Sequence, residues 1–213
     1  NVVANSQKKN ELIMDYKVNA NSHKAEDPKA LYSSKAREKL SSFLSSDRNL
    51  TFPDTKNPSL SIILVFYNQP HLGFLCLQSI LQKADVSYEV VIIDNASDDE
   101  TNKLLNRIRN AQIARNKDNL GFVKAVNQGA DMARGEFILL LNNDALIEDQ
   151  ALSNALKSIS EEKSIGAIGG KIKLIDGTLQ EAGSIIWKDG STQGYGRGKD
   201  PCASAFMFAR EVD

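Results

Sequence analysis

At 213 residues, with 41% hydrophobic and 25% charged side chains, the chain has the composition of a globular protein: one well-buried domain with a small appendage. A formal net charge of −1 removes the electrostatic case for nucleic acid or an anionic membrane as partner. The longest apolar runs, around Ile62–Tyr67 and Phe137–Leu141, are strand-sized and far short of the ~20 residues of a transmembrane helix.

Residues 1–27 are polar without sustained period and read as a flexible arm with no signal segment. The chain opens on Asn1 rather than Met, which suggests an excised or processed piece. Asp27-Pro28 offers an N-cap followed by proline, and Leu31, Ala36, Leu40 and Phe43 continue at helical spacing over 28–46. Thr51–Pro58 reads as a linker, so residues 1–58 form an arm, a helix and a linker ahead of a main domain over 59–213.

From Leu60 the texture changes. "LSIILVFY" is a near-continuous apolar run, as in a parallel strand covered on both faces. A helix follows from Pro70 to Lys83, then a strand over 88–94, a helix over 98–109 and a short strand over 111–116. Next come a helix over 121–134, a strand over 136–141, a helix over 148–160 and a strand over 164–172. Past residue 174, Asp176-Gly177 and Asp189-Gly190 are turn signals flanking "SIIW", which predicts a hairpin-like insertion, with 194–198 a loop. The alternation predicts an α/β fold with a mainly parallel sheet flanked by helices. Ligands in such folds bind at the carboxyl ends of the strands. Here those junctions are Tyr67-Asn68, Asp94-Asn95, Asn119 and Asn142–Asp144, and all four are polar.

No GxxxxGK[ST] is present, and no strand is followed by GxGxxG, so neither common glycine-rich phosphate cradle applies. A diphosphate would then need a cation held by a strand-end carboxylate. Asp144, flanked by Asn142 and Asn143, offers one charged oxygen and two amides, a set suited to magnesium or manganese. On spacing alone, a polar turn or a capped helix start is the reading that comes first. Asp94 could accept a hydrogen bond from a base N–H with Tyr67 packed on its face, or merely end a strand before a helix capped by Ser97. Cys76 and Cys202 match no metal spacing and read as isolated buried thiols, which suits a reducing compartment. His23 and His71 read as surface or capping residues, and the glycosylation-like spacings at Asn49 and Asn95 carry no weight.

"SIILVFYNQ", "VVIIDNASDDET", "NLGFVKAVNQGADMARGEFILLLNNDALIE" and "GGKIKLIDGTLQEAGSIIW" resemble, in order and spacing, the family-2 glycosyltransferases of GT-A fold, over residues 59–213. The resemblance implies a GT-A-like, Rossmann-like sheet and an inverting, metal-assisted transfer of a hexosyl or deoxyhexosyl unit from a nucleotide-diphosphate donor. The acceptor would be a saccharide or glycoconjugate hydroxyl in polysaccharide synthesis. It implies that Val65 and Tyr67 border the nucleobase, that Asp94 hydrogen-bonds it, and that Asn119 and Asn142 lie beside the nucleotide. Asp144 would be the carboxylate on a manganese or magnesium ion, with Asn142 standing where the family's motif begins with Asp. UDP is favoured by family frequency, with dTDP and GDP as alternatives. A cytoplasmic place, or a peripheral one at the inner face of the membrane, is implied too.

The family's base lies beyond a stretch like "CASAFMFAREV", so the domain reads as truncated, no catalytic base can be named, and Asp213 does not match it. The interval between Gly198 and Cys202 is shorter than the family's loop. Glu181, Trp187 and Asp189 fall where acceptor contacts would occur. The competing readings are a nucleotide-sugar-binding module without turnover and a nucleotidyltransferase. The latter expects a glycine-rich basic loop where this chain has "FYNQPHLGF".

Overall fold

The computed structural model describes residues 27–209, so most of the polar arm lies outside the described residues. Helix α1 (Pro28–Leu44) starts as the sequence predicts: the Asp27 side chain accepts the Lys29 N–H at 3.1 Å and proline fills the first turn. Strand β1 (Leu50–Thr51) follows. Then come β2 (Leu60–Phe66), α2 (Pro70–Lys83), β3 (Tyr88–Asp94), α3 (Thr101–Leu105), β4 (Ile108–Arg109), β5 (Gln112–Arg115), α4 (Phe122–Met132), β6 (Phe137–Asn142) and α5 (Ala151–Glu161).

Four strands form one parallel sheet in the order β5-β3-β2-β6. Its registers put Phe66 beside Asp94, Asp94 beside Arg115, and Val65 beside Asn142. The apolar runs of β2 and β3 are buried on both faces because α1, α2 and α4 cover them. Residues Ala36, Leu40 and Phe43 of α1 are buried, and the Phe43 ring packs on Phe74 of α2 at 4.8 Å. Full burial of side chains such as Leu40 and Phe43 is worth about 1.5–3 kcal/mol each, enough to hold a weakly patterned helix in place. Strand β6 is at the sheet edge, and α4 lies over β2 and β3 instead, leaving Ile138 47% and Leu140 53% exposed.

Two predicted elements differ. The helix expected over 98–109 is α3 alone, because Asp99 Oδ1 takes both the N–H and the hydroxyl of Thr101, at 2.9 and 2.6 Å, and so starts it late. Its expected last residues instead pair with β1 in parallel as β4, and Asn110 then turns with φ 59°. The strand expected over 164–172 shrinks to β7 (Ile172–Lys173), paired antiparallel with β8 (Leu179–Glu181). Gly166, Gly169 and Gly170 give that run no side chains to bury. The hairpin expected after residue 174 forms from β9 (Ser184–Ile186) and β10 (Thr192–Gly194).

A buried carboxylate clamps the amino ends of the strands. Glu89 of β3 accepts from Ser61 Oγ (2.6 Å), Gln112 Nε2 (3.0 Å), and the Arg134 N–H and Nε (2.6 and 2.8 Å). Burial pushes Glu89 up, but the hydrogen bonds from Ser61 and Arg134 and the guanidinium charge together hold it below the usual carboxylate range. A depressed folded pKa means stability that is complete above the unfolded value and lost as pH falls through the folded one. In Glu89→Gln, urea unfolding should show a loss of about 1–3 kcal/mol near neutrality. That deficit relative to wild type should shrink as the pH is taken below the ordinary glutamate range.

Gly73 is a second constraint: a Cβ there would meet the Phe66 ring at 2.2 Å, and Phe66 is fully buried. Gly73→Ala should therefore destabilise the chain by about 1–3 kcal/mol through overpacking, read as a shift in denaturant midpoint.

Candidate functional site

The carboxyl ends of the four strands meet along one edge, and hydrogen bonds between junctions join three of them. After β2, Asn68 and Gln69 both take left-handed backbone, φ 59° and 56°. Such conformations cost side-chain-bearing residues about 1–2 kcal/mol each. Neighbouring groups hold them: Asn68 N–H donates to Ser97 Oγ and Gln69 N–H to Asp99 Oδ2, both at 2.9 Å. Asp98 N–H returns to Asn68 Oδ1 at 2.9 Å. Ser97 thus bridges two junctions and does not cap α3.

After β3, Asp94 is 3% exposed and its Oδ1 accepts the Ser97 N–H at 3.0 Å. Asn95, equally buried, donates through its backbone to the Phe66 carbonyl at 2.8 Å. Its side chain organises the loop between β5 and α4. Nδ2 donates to Asn119 Oδ1 at 2.7 Å, while Oδ1 accepts from Asn116 Nδ2 and the Leu120 N–H at 3.1 and 3.0 Å. Asn119 Oδ1 also accepts the Gly121 N–H at 2.9 Å, fixing the entry to α4. Asn95 was absent from the sequence-derived site, although its place beside Asp94 in "DNAS" was the signal for it.

After β6, the Ala145 N–H donates to the Asn142 carbonyl at 3.1 Å, closing a tight turn over Asn142–Ala145. The same carbonyl is approached by the thiol of Cys76 at 3.6 Å. Burial and then Asp144 push that thiol up to about 12, so it stays protonated and acts as a packing group. Helix α5 starts only at Ala151, so the polar triplet is a turn and not a helix cap.

The sequence-derived residues therefore fall in two layers. Tyr67, Asn119, Asn142 and Asp144 are exposed and Val65 is half-buried, while Asp94 lies beneath. Among the described residues, no cluster of three or more His, Cys, Asp and Glu is placed to hold a metal ion. The Asn142–Asp144 turn offers one carboxylate and two amides, all oxygen donors, a set that fits a hard divalent cation taking its other ligands from substrate phosphate and water.

Three other expectations need correction or refinement. Cys202 is exposed, not buried. His71 is buried and bonded to Ser33 Oγ at 2.9 Å. Asp189 satisfies its own hairpin turn, its Oδ1 accepting the Ser191 N–H and hydroxyl at 2.9 and 2.6 Å. Trp187, on the same hairpin, is 52% exposed.

The model of glycosyl transferase family 2 matches residues 61–213. The chain belongs to that family. It is 31% identical over 143 residues to O-antigen biosynthesis protein RfbC of Myxococcus xanthus, covering 65% of this chain and 11% of the relative. It is 28% identical over 106 residues to the UDP-Glc:alpha-D-GlcNAc-diphosphoundecaprenol beta-1,3-glucosyltransferase WfaP of Escherichia coli, covering 49% of this chain and 42% of the relative. Among solved structures it is similar to the mannosyltransferase PcManGT from Pyrobaculum calidifontis in complex with GDP-Man and Mn2+. That likeness has 23% identity and a TM-score of 0.47, covering 69% of this chain and 44% of that one. The chain thus spans less than half of each of these proteins.

The parallel α/β sheet of this family 2 chain carries all four junctions within the matched segment, whereas α1 and β1 precede it. Asn95 is the keystone of the loop over 116–121. Asn95→Ala should cost about 1–3 kcal/mol by stranding its buried partners. Amide hydrogen exchange should show Leu120 losing protection ahead of the sheet strands.

Proposed function

We propose that the chain is the donor-binding part of an inverting glycosyltransferase that moves a sugar from a nucleotide-diphosphate donor to a saccharide or glycoconjugate hydroxyl. The observation that carries this is the convergence of exposed Tyr67, Asn119, Asn142 and Asp144 on one sheet edge, over the hydrogen-bonded base of Asp94 and Asn95. In this reading Val65 and Tyr67 border the nucleobase and Asp94 accepts from its N–H. Asn119 and Asn142 orient the ribose-diphosphate portion.

Asp144 is the residue that would hold magnesium or manganese, which when bound would supply Lewis-acid stabilisation of diphosphate charge. The amides of Asn142 and Asn143 keep the phosphate oxygens in line without adding charge of their own. Attack by the acceptor from the opposite face of the sugar inverts the anomeric centre and needs a general base, to be sought outside the described residues. Exposed Trp187 offers a stacking face for an acceptor ring.

UDP is the first donor nucleotide to try, supported by the UDP-Glc in the name of the E. coli relative, with dTDP and GDP next. A lipid-linked acceptor such as that relative's name describes would put the protein on the cytoplasmic face of a membrane. No helix among the described residues is long and apolar enough to cross one.

The test is titration calorimetry with UDP, dTDP and GDP, with manganese and with excess chelator, on wild type and Asp144→Ala. Binding of one nucleotide diphosphate that needs the metal and weakens at least tenfold in the variant is the expected result. Absence of binding by a folded wild-type chain would overturn the reading.

A further inference from the structure

Helix α1 precedes the segment matched by the family, and its first half is held differently from its second. Ala36, Leu40 and Phe43 are buried, whereas no residue of 28–35 is. A hydrogen bond ties that earlier half to the domain: Ser33 Oγ lies 2.9 Å from Nε2 of His71, in the first turn of α2. His71 is 3% exposed, and burial and then the Arg37 charge hold it below the ordinary histidine value, against the pull of Asp99. Its ring is therefore uncharged near neutrality, with one nitrogen donating and the other accepting, and a serine hydroxyl complements either.

The turn just ahead of His71 is the left-handed one after β2. Gln69 is the N-cap of α2, at φ 56°, and its side chain makes no capping bond. Its carbonyl accepts the Leu72 and Gly73 N–H at 3.1 and 3.3 Å, while its own N–H donates to Asp99 Oδ2 at 2.9 Å. The turn is thus gripped from two sides. Asp99 is fixed by the N–H and hydroxyl of Thr101, and the first turn of α2 is fixed to α1 by the bond between His71 and Ser33. A strained turn keeps its shape only while such grips hold. Tyr67, 53% exposed, directly precedes Asn68 and Gln69, so this turn sets where its ring stands.

We infer that His71 is a positioning residue of the nucleotide site: bonded to Ser33 of α1, it anchors the first turn of α2 and so holds the Asn68-Gln69 turn that places Tyr67 against the base. This rests on the reading of Tyr67 as bordering the nucleobase. The two grips on the turn then answer to different segments, Asp99 within the family match and Ser33 ahead of it.

The experiment uses the full 213-residue chain, with Ser33→Ala to remove the hydroxyl and Ser33→Thr to keep it. Amide hydrogen exchange is followed alongside calorimetry with UDP, dTDP and GDP in manganese. In Ser33→Ala the Asn68 and Gln69 amides are expected to lose protection about three- to tenfold, the range of one lost neutral hydrogen bond, while those of β2 and β3 keep theirs. The dissociation constant of the bound diphosphate should rise by a similar factor, and Ser33→Thr should restore both. In a Tyr67→Ala background, Ser33→Ala should weaken binding no further, because both changes act through the same ring.

Unchanged protection at Asn68 and Gln69, a fall shared by the whole sheet, or a diphosphate affinity within twofold of wild type would each overturn the inference and leave the donor site standing. So would losses from Ser33→Ala and Tyr67→Ala that simply add. A folded wild type that binds no nucleotide diphosphate would overturn the donor-site reading and this inference with it.

Discussion

Glu89 joins β3 to Ser61 of β2 on one side, to Gln112 of β5 on the other, and to the Arg134 turn that leads into β6. A parallel sheet has evenly spaced, slanted hydrogen bonds and no hairpins between neighbours, so its registers need fixing by something else. One buried carboxylate with partners from each neighbouring element does this at the amino end. The heights at which Tyr67, Asp94, Arg115 and Asn142 emerge at the far end follow from those registers. The cavity of about 290 Å³ beside Glu89, lined by Pro53, Asp54, Thr55 and Arg134 among others, belongs to this clamp. Its carboxylate is fully engaged with protein donors, so it has little left to offer a ligand.

The carboxyl edge of the sheet is built mainly from amides. Asn68, Asn95, Asn116 and Asn119 can each donate and accept, so one side chain closes two loops at once. An aspartate at position 95 could accept from the Leu120 N–H but could not donate to Asn119. The left-handed turns at Asn68 and Gln69 are held by the same network, and strain of that kind persists only where surrounding bonds over-determine it. The chemistry that results is polar, with uncharged amides at Asn68, Asn95 and Asn119.

Much of this was legible in the sequence because it follows from pattern. The runs Ile62–Phe66 and Val90–Ile93 at the heart of β2 and β3 are unbroken and apolar, and the four polar junctions sit where the parallel topology puts the strand ends. What pattern could not supply was competition between elements. Ile108 has helical spacing from Leu104 and Leu105, but pairing with Leu50 across the fold claims it for a strand. The run over 164–172 looks apolar, yet its glycines leave a backbone with nothing to pack. Phe137–Leu141 reads as a continuous apolar strand, while its edge position exposes alternate residues. The place of Asn95 beside Asp94 marks the position, but its partners lie more than 20 residues away and no local spacing marks the bonds it makes.

The helix ahead of the family segment alters how the site should be regarded. Its Leu40 and Phe43 belong to the same core cluster as Leu64, Phe66 and Leu77, so α1 is not a tether hung on a finished domain. Removing it would open the outer face of α2, whose inner face carries Cys76 against Asn142 and Ser79 against the Ile147 N–H. Those contacts hold the 142–147 turn against the sheet edge. Any ligand that tightens that turn would therefore also favour the docked helix, because a ligand stabilises whatever its binding state requires. Reciprocally, a ligand that did so would bind more tightly with α1 docked, since coupling has one magnitude in both directions. The segment outside the family match thus shares the core that holds a turn within it.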